Sequence, residues 1–157
     1  MRIGIDAMGG DFAPETAVMG AFLASKELPN NVTIVLFGNK EAIITILERE
    51  GYSGNAIEIV ETSEVIGMGE HPAKAFQQKQ NASITVGFKY LYAGKVEAFA
   101  SAGNTGAMMV GTMYTIKSIP GIMRPCITGP VPKLSGGKTS TLLDVGLNSD
   151  CKPDVLY

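Results

Sequence analysis

Short apolar runs alternate with amphipathic stretches along the first hundred residues. Ile3-Gly4-Ile5 sits in a run over residues 2–6 that reads as a strand. Residues 14–27 place Val18, Ala21 and Phe22 on one helical face, with Pro14 tolerated in the first turn. Pro29-Asn30-Asn31 is a turn, and Val32 to Phe37 is a continuous apolar run that suits a buried parallel strand. Gly38-Asn39 ends it. Residues 40–50 predict a helix with Ile43, Ile44 and Leu47 inward, and after a loop over Gly51 to Asn55 a third strand is expected from Ala56 to Val60. The order β-α-β-α-β argues for an α/β fold with a mostly parallel sheet.

The next stretch, Glu61 to Glu70, has no period and contains Gly67 and Gly69. Pro72 opens a short helix to about Gln80. A second helix carries Ile84, Phe88, Leu91 and Tyr92 at helical spacing. Val96 to Ala100 reads as a strand and Ala107 to Lys117 as a helix. Residues 118–138 are rich in proline and glycine, and Thr141 to Val145 reads as a last strand. Lys152-Pro153-Asp154, followed by Val155-Leu156-Tyr157, has the look of a helix beginning. The expectation is a single α/β domain over residues 1–157, forming the N-terminal portion of a longer chain.

Two loops share one plan: strand end, small residues, helix start. The first is Asp6-Ala7-Met8-Gly9-Gly10-Asp11, and the second is Ser101-Ala102-Gly103-Asn104-Thr105-Gly106. Paired glycines let a backbone approach a ligand closely, and a following helix offers amide groups to an anion. In an open parallel sheet both loops belong at the carboxyl edge, where ligands bind. Either loop alone is also what an ordinary tight βα turn looks like. Asn104 or Thr105 caps the following helix, leaving the other side chain for a ligand. Asp6 and Asp11 are awkward beside an anion, since like charges repel. They orient a lysine, bind a cation, or anchor the loop through Asx turns.

Composition narrows the chemistry further. A net charge of −2 leaves no basic footprint for nucleic acid. Cys126 and Cys151 lie far apart with no metal-ligand grouping, so reduced thiols in a cytoplasmic protein are the simplest reading, with no metal or cofactor called for. No signal peptide or membrane-spanning apolar run is visible. Ser135-Gly136-Gly137-Lys138-Thr139-Ser140 superficially suggests a P-loop, but Pro132 stands where its first glycine belongs and a strand-like run follows, so it reads as a solvated loop. His71, the only histidine, reads as a surface residue near a helix start. Lys74 and Lys79 read either as a solvated helical face or as charge for an anion.

Five motifs occur in order: Asp6-Ala7-Met8-Gly9-Gly10-Asp11, Glu64-Val65-Ile66-Gly67-Met68, Ser101 to Ala107, Arg124-Pro125 and Leu142-Leu143-Asp144-Val145-Gly146. Together they resemble the PlsX family of phosphate acyltransferases across almost the whole chain. The resemblance implies a three-layer α/β/α fold, similar to isocitrate dehydrogenase and phosphotransacetylase types. It implies that inorganic phosphate attacks the thioester of a fatty acyl carrier protein, giving acyl phosphate for phospholipid synthesis. It further implies a homodimer, peripheral at the membrane, that feeds a membrane glycerol-3-phosphate acyltransferase. Gln77 stands where the family usually has arginine, whereas Lys79 matches.

On this reading Asn104, Lys79 and Asp6 are the catalytic candidates. Gly9, Gly10, Asp11, Ser101, Gly103, Thr105, Gly106 and Lys74 are the phosphate- or substrate-binding candidates. Positioning of phosphate and stabilisation of the thioester oxyanion would suffice, without a covalent enzyme intermediate. Replacing Asn104 by Ala is expected to cut turnover far more than stability. The alternatives are a phosphotransacetylase-like enzyme acting on acyl-CoA, or a non-catalytic module that binds phosphate or carrier protein.

Overall fold

The computed structural model describes residues 1–122, 125–134 and 136–148. The chain divides into two compact units, Met1–Ile116 and Lys117–Tyr157. The first unit contains strands β1 (Arg2–Asp6), β2 (Thr33–Gly38), β3 (Ile57–Glu61) and β4 (Ala98–Ala100). Its helices are α1 (Glu15–Glu27), α2 (Lys40–Arg49), α3 (Pro72–Gln78), α4 (Ser83–Tyr92) and α5 (Thr105–Gly111). The four strands form one sheet in the order β3-β2-β1-β4, and every pairing is parallel.

The alternation of β2 shows why the sheet is covered on both faces. Ile34 and Leu36 pack with Val18, Ala21 and Phe22 of α1 and with Ile43, Ile46 and Leu47 of α2. Val35 and Phe37, one position out of phase, pack on the other face with Val96, Val86, Tyr90 and Phe99. The result is the expected three-layer α/β/α arrangement. An aromatic chain runs through the second face: Phe37 meets Tyr90 and Phe99 edge-on, Phe99 meets Phe88, and Phe88 meets Phe76. Gly87 in α4 makes room for it, since a Cβ there would lie 2.1 Å from the Phe99 ring.

Several expectations shift in detail. Pro14 is the cap position of α1, so the helix proper begins at Glu15. In α2 the third buried residue beside Ile43 and Leu47 is Ile46, and Ile44 is only half-buried. The expected helix over 107–117 starts earlier and divides, α5 giving way to a π-helical turn at Thr112–Ile116. The last expected strand is not part of the parallel sheet. Ser140–Leu143 (β6) pairs antiparallel with Thr128–Val131 (β5) inside the second unit. β5 carries no strand signature in the sequence because Gly129 and Pro130 are poor strand formers, tolerated here in a two-stranded ribbon. Arg124, Ser135, Cys151 and the helix start expected at 152–157 lie outside the described residues. Among the described residues, no helix is long and apolar enough to cross a membrane.

Two glycines test this packing against helix propensity. A Cβ placed on Gly20 in α1 would meet no atom within 4 Å, whereas one on Gly87 would collide with Phe99. Gly20→Ala is expected to stabilise by about 0.5–1 kcal/mol through helix propensity. Gly87→Ala is expected to destabilise despite the same propensity gain, because overpacking costs about 1–3 kcal/mol. Urea unfolding of both variants checks this. A stabilised Gly87→Ala would mean that α4 does not press on Phe99.

Candidate functional site

The sheet order places the candidate site. From β1 the chain passes through α1 to β2 on one side, while β4 lies on the other side of β1. The order therefore reverses at β1, and the crevice beyond the carboxyl ends of β1 and β4 is where such sheets bind ligands. Both glycine loops open from those ends.

Their contact begins at Asp6, which is 2% exposed. One carboxylate oxygen accepts the Met8 amide at 3.0 Å, an Asx turn, and the other accepts the Ser101 hydroxyl at 2.6 Å. The Ser101 oxygen in turn accepts the Gly103 amide at 2.9 Å. Gly9 packs into this relay. A Cβ on Gly9 would lie 2.5 Å from the Asp6 carboxylate and 2.7 Å from the Gly103 nitrogen, and one on Gly103 would lie 3.1 Å from the Gly9 Cα. Gly10 then turns the chain at φ +108°, a conformation that favours glycine.

A groove of about 340 Å3 opens beside the first loop, lined by Gly9, Gly10, Asp11, Phe12, Ala13, Thr16, Ala17, Met68 and Ala102. A second hollow of about 330 Å3, lined by Ile5, Asp6, Gly9, Ala17, Ala100, Ser101 and Ala102, shares Gly9, Ala17 and Ala102 with it. Among the described residues, the consecutive backbone amides of Gly9, Gly10, Asp11 and Phe12 donate to no protein group. Asp11 is exposed at the rim.

The other candidates have different surroundings. Asn104 is the cap of α5 and 4% exposed. Its Oδ1 accepts the Ala107 amide at 2.9 Å. Its Nδ2 donates to the carbonyls of Gly67, Glu70 and Met68 at 3.0, 3.2 and 3.4 Å. Thr105 is therefore the exposed side chain of that pair. Gly106 lies against Pro72, where a Cβ would be 2.4 Å from the ring. Lys79 ends α3, and its Nζ donates to the Val65 carbonyl at 2.7 Å and to Glu70 at 2.6 Å. Glu70 also accepts the Gly67 amide at 2.7 Å. Lys74 and His71 are exposed, and neither lines the two hollows. Gln77 borders a separate cavity of about 370 Å3 with Ala73, Phe76, Gln80, Val110 and Tyr114.

Gly9, Gly10 and Asp11 thus come together at the groove, Asp6 and Ser101 line the adjoining hollow with Gly9, and Gly103 packs against Gly9. Asn104 and Lys79 meet instead on the segment that carries Met68. Phe12, Ala17, Met68 and Ala102 were not anticipated. Phe12 and Met68, exposed apolar residues flanking glycine turns, were the signal available.

A parallel sheet that reverses at β1, with a groove at that switch point, makes this an α/β/α domain of the kind whose open sheets bind ligands at that edge. The chain belongs to the family described as fatty acid synthesis protein, whose model matches residues 1–157. This agrees with the family inferred from the ordered motifs. The chain is similar to the phosphate acyltransferase of Gloeobacter violaceus, 45% identical over 156 residues, which cover 99% of this chain and 45% of the relative. It is equally similar to that of Dictyoglomus thermophilum, at 45% identity covering 99% and 46%. The Salinibacter ruber phosphate acyltransferase is 43% identical over 153 residues, covering 97% and 45%. The chain spans less than half the length of these curated relatives.

Two expected outcomes follow from the contacts of Asn104 and Glu70. Asn104→Ala is expected to lower stability by about 2 kcal/mol, since it removes a helix cap and leaves carbonyls unpaired. The balance between turnover and stability expected from sequence therefore moves towards stability. Asn104→Ser keeps a capping oxygen and is expected to fall between the two in urea unfolding; an Asn104→Ala protein as stable as the parent would refute the bridging role.

Lys79, and then the Gly67 amide, hold the Glu70 carboxyl below its ordinary value of 4.5. A depressed carboxyl contributes stability that is complete above the ordinary value and lost as pH falls through the folded one. The protection factor of the Gly67 amide, corrected for intrinsic exchange, is therefore expected to drop below pH 4.5. In Glu70→Gln it is expected to be low and flat across that range.

Proposed function

We propose that the protein transfers a fatty acyl group from the thioester of acyl carrier protein to inorganic phosphate, giving acyl phosphate for phospholipid synthesis. The observation that carries this reading is the run of four amides, Gly9 to Phe12, without an acceptor among the described residues, bordering a largely apolar groove. Successive free amides suit an anionic oxygen, and the apolar lining suits a carbon chain. The matched family and the printed names of the relatives point the same way.

In the reaction a phosphate oxygen attacks the thioester carbonyl carbon. The carbonyl oxygen takes up the negative charge and returns it as the C=O bond re-forms and the C–S bond breaks; the thiolate leaves with its electron pair and gains, through water, the proton that the phosphate gives up. The loop amides hold the phosphate or the developing oxyanion, and holding both reactants in one groove supplies the orientation. Asp6, Ser101 and Gly103 fix the loop geometry, and Thr105 offers a hydroxyl to substrate. Asn104 and Lys79 act by holding the neighbouring segment, and Gly106 lets α5 approach α3. Lys74 offers positive charge from the surface. The protein works as a homodimer in the cytoplasm, peripherally at the membrane, and passes acyl phosphate to a glycerol-3-phosphate acyltransferase.

The test supplies inorganic phosphate with long-chain acyl carrier protein, or with acetyl-CoA. Phosphorus NMR follows acyl phosphate, and a thiol reagent follows the released carrier protein. Acyl phosphate and thiol in equal amounts are expected with acyl carrier protein. Turnover with acetyl-CoA alone would move the assignment to a phosphotransacetylase. Binding of either ligand without turnover would leave only a binding module.

A further inference from the structure

We propose that Glu70 and Lys79 are positioning residues that hold Met68 in the wall of the groove, and so set how tightly the acyl donor binds. What the groove takes rests on the acyl-transfer reading above; the positioning itself does not.

Residues 62–71 contain no helix or extended strand, only an isolated bridge between Glu64 and Ala82. Ile66 is buried in the core, but Gly69 has open space around it. Met68 lies between two glycines, is 60% exposed, and still lines the groove together with the Gly9–Phe12 turn. Such a residue keeps its place only if the backbone on both sides is pinned. The pins converge on one ion pair. The same Glu70 oxygen accepts the Gly67 amide and the Lys79 ammonium, and that ammonium also takes the Val65 carbonyl. One carboxylate and one lysine thus tie residues 65, 67, 70 and 79 together. Asn104 adds its donors to the carbonyls of Gly67, Met68 and Glu70 from the side of α5.

The pair is about one-third exposed on each side, and an ion pair in that setting adds little to global stability. Its effect is geometric. Removing it lets Met68 leave the groove while the sheet stays folded. Met68 and Phe12 present carbon and no charge, so the substrate part they meet is the acyl chain. Loss of the wall therefore weakens donor binding rather than the chemical step.

The test combines steady-state kinetics with the 13C-methyl resonance of Met68, assigned through Met68→Leu, in Glu70→Gln, Lys79→Ala and Lys79→Arg. In Glu70→Gln and Lys79→Ala, KM for a long-chain acyl donor is expected to rise roughly fivefold or more with kcat within about twofold, the pattern of lost uniform binding. The Met68 methyl signal is expected to shift and average in both. Lys79→Arg is expected to restore KM and the methyl signal. An unchanged Met68 resonance in both disabling variants would overturn the proposal, as would a collapse of kcat at constant KM, which would mean direct chemistry. If the parent protein makes no acyl phosphate, the acyl-transfer reading fails, and the Met68 resonance alone decides whether the pair positions the wall.

Discussion

The Asp6 carboxylate, buried at the end of β1, is the point on which the site depends. It receives the Met8 amide on one oxygen and the Ser101 hydroxyl on the other, so it binds the turn after β1 and the turn after β4 at once. A buried carboxylate is tolerable only with such partners. Hydrogen bonds to a charged group are worth about 1.5–3 kcal/mol each, enough to fix the two turns against each other. The bond works only because Gly9 and Gly103 meet without side chains. Any Cβ on Gly9 would overlap the carboxylate it has to sit beside. Charge, hydroxyl and two glycines are therefore one device, and the groove is the space left next to it.

The device sits where it does for topological reasons. A parallel sheet that reverses at β1 sends α1 and α2 to one face and α4 to the other, as the two phases of β2 show. The loops after β1 and β4 cannot both be covered by the same helix, so a crevice stays open between them. The first loop leaves four amides without protein acceptors among the described residues at that crevice. Other loops after strands are closed by their own contacts: Asn39 caps α2, and in the second glycine loop Asn104 caps α5 while bridging to Gly67 and Glu70. The turn at Gly9 to Phe12 instead keeps a row of donors for something else.

Much of this was legible in the sequence, and the exceptions have physical causes. Continuous apolar runs gave β2 and its neighbours, and helical spacing gave α1, α2 and α4. The two glycine loops were legible as a pair because both follow strands. Which of Asn104 and Thr105 would cap was not, since both residue types cap well and only tertiary partners decide. The Glu70–Lys79 pair spans nine positions across a loop and a helix, a separation with no local signature. Phe12 and Met68 carry no period, because they project from turns and not from a face. In the second unit, Gly129 and Pro130 hid β5, and the pairing of β6 with it was invisible while β5 was.

The charge around the groove argues for how an anion would be held. Among the described residues, neither hollow is lined by a lysine or arginine, and Asp11 stands exposed at the rim. Lys79, the nearest in purpose from sequence, has its ammonium engaged by Glu70 and Val65. Gln77, at the position where the resemblance leads one to expect arginine, borders the separate cavity beside Phe76 and Tyr114 and does not line the groove. On the proposed acyl-transfer reading, recognition would then rest on oriented backbone dipoles, which are fixed in direction and carry no counter-charge to attract unrelated anions from a distance. Such a site is weak for a free dianion facing Asp11. It is strongest where negative charge is delocalised or still developing, as on the oxygen of a thioester carbonyl under attack. In that proposed role, backbone donors placed by the Asp6–Ser101 link would serve better than a lysine, because they need no reorganisation when the charge appears.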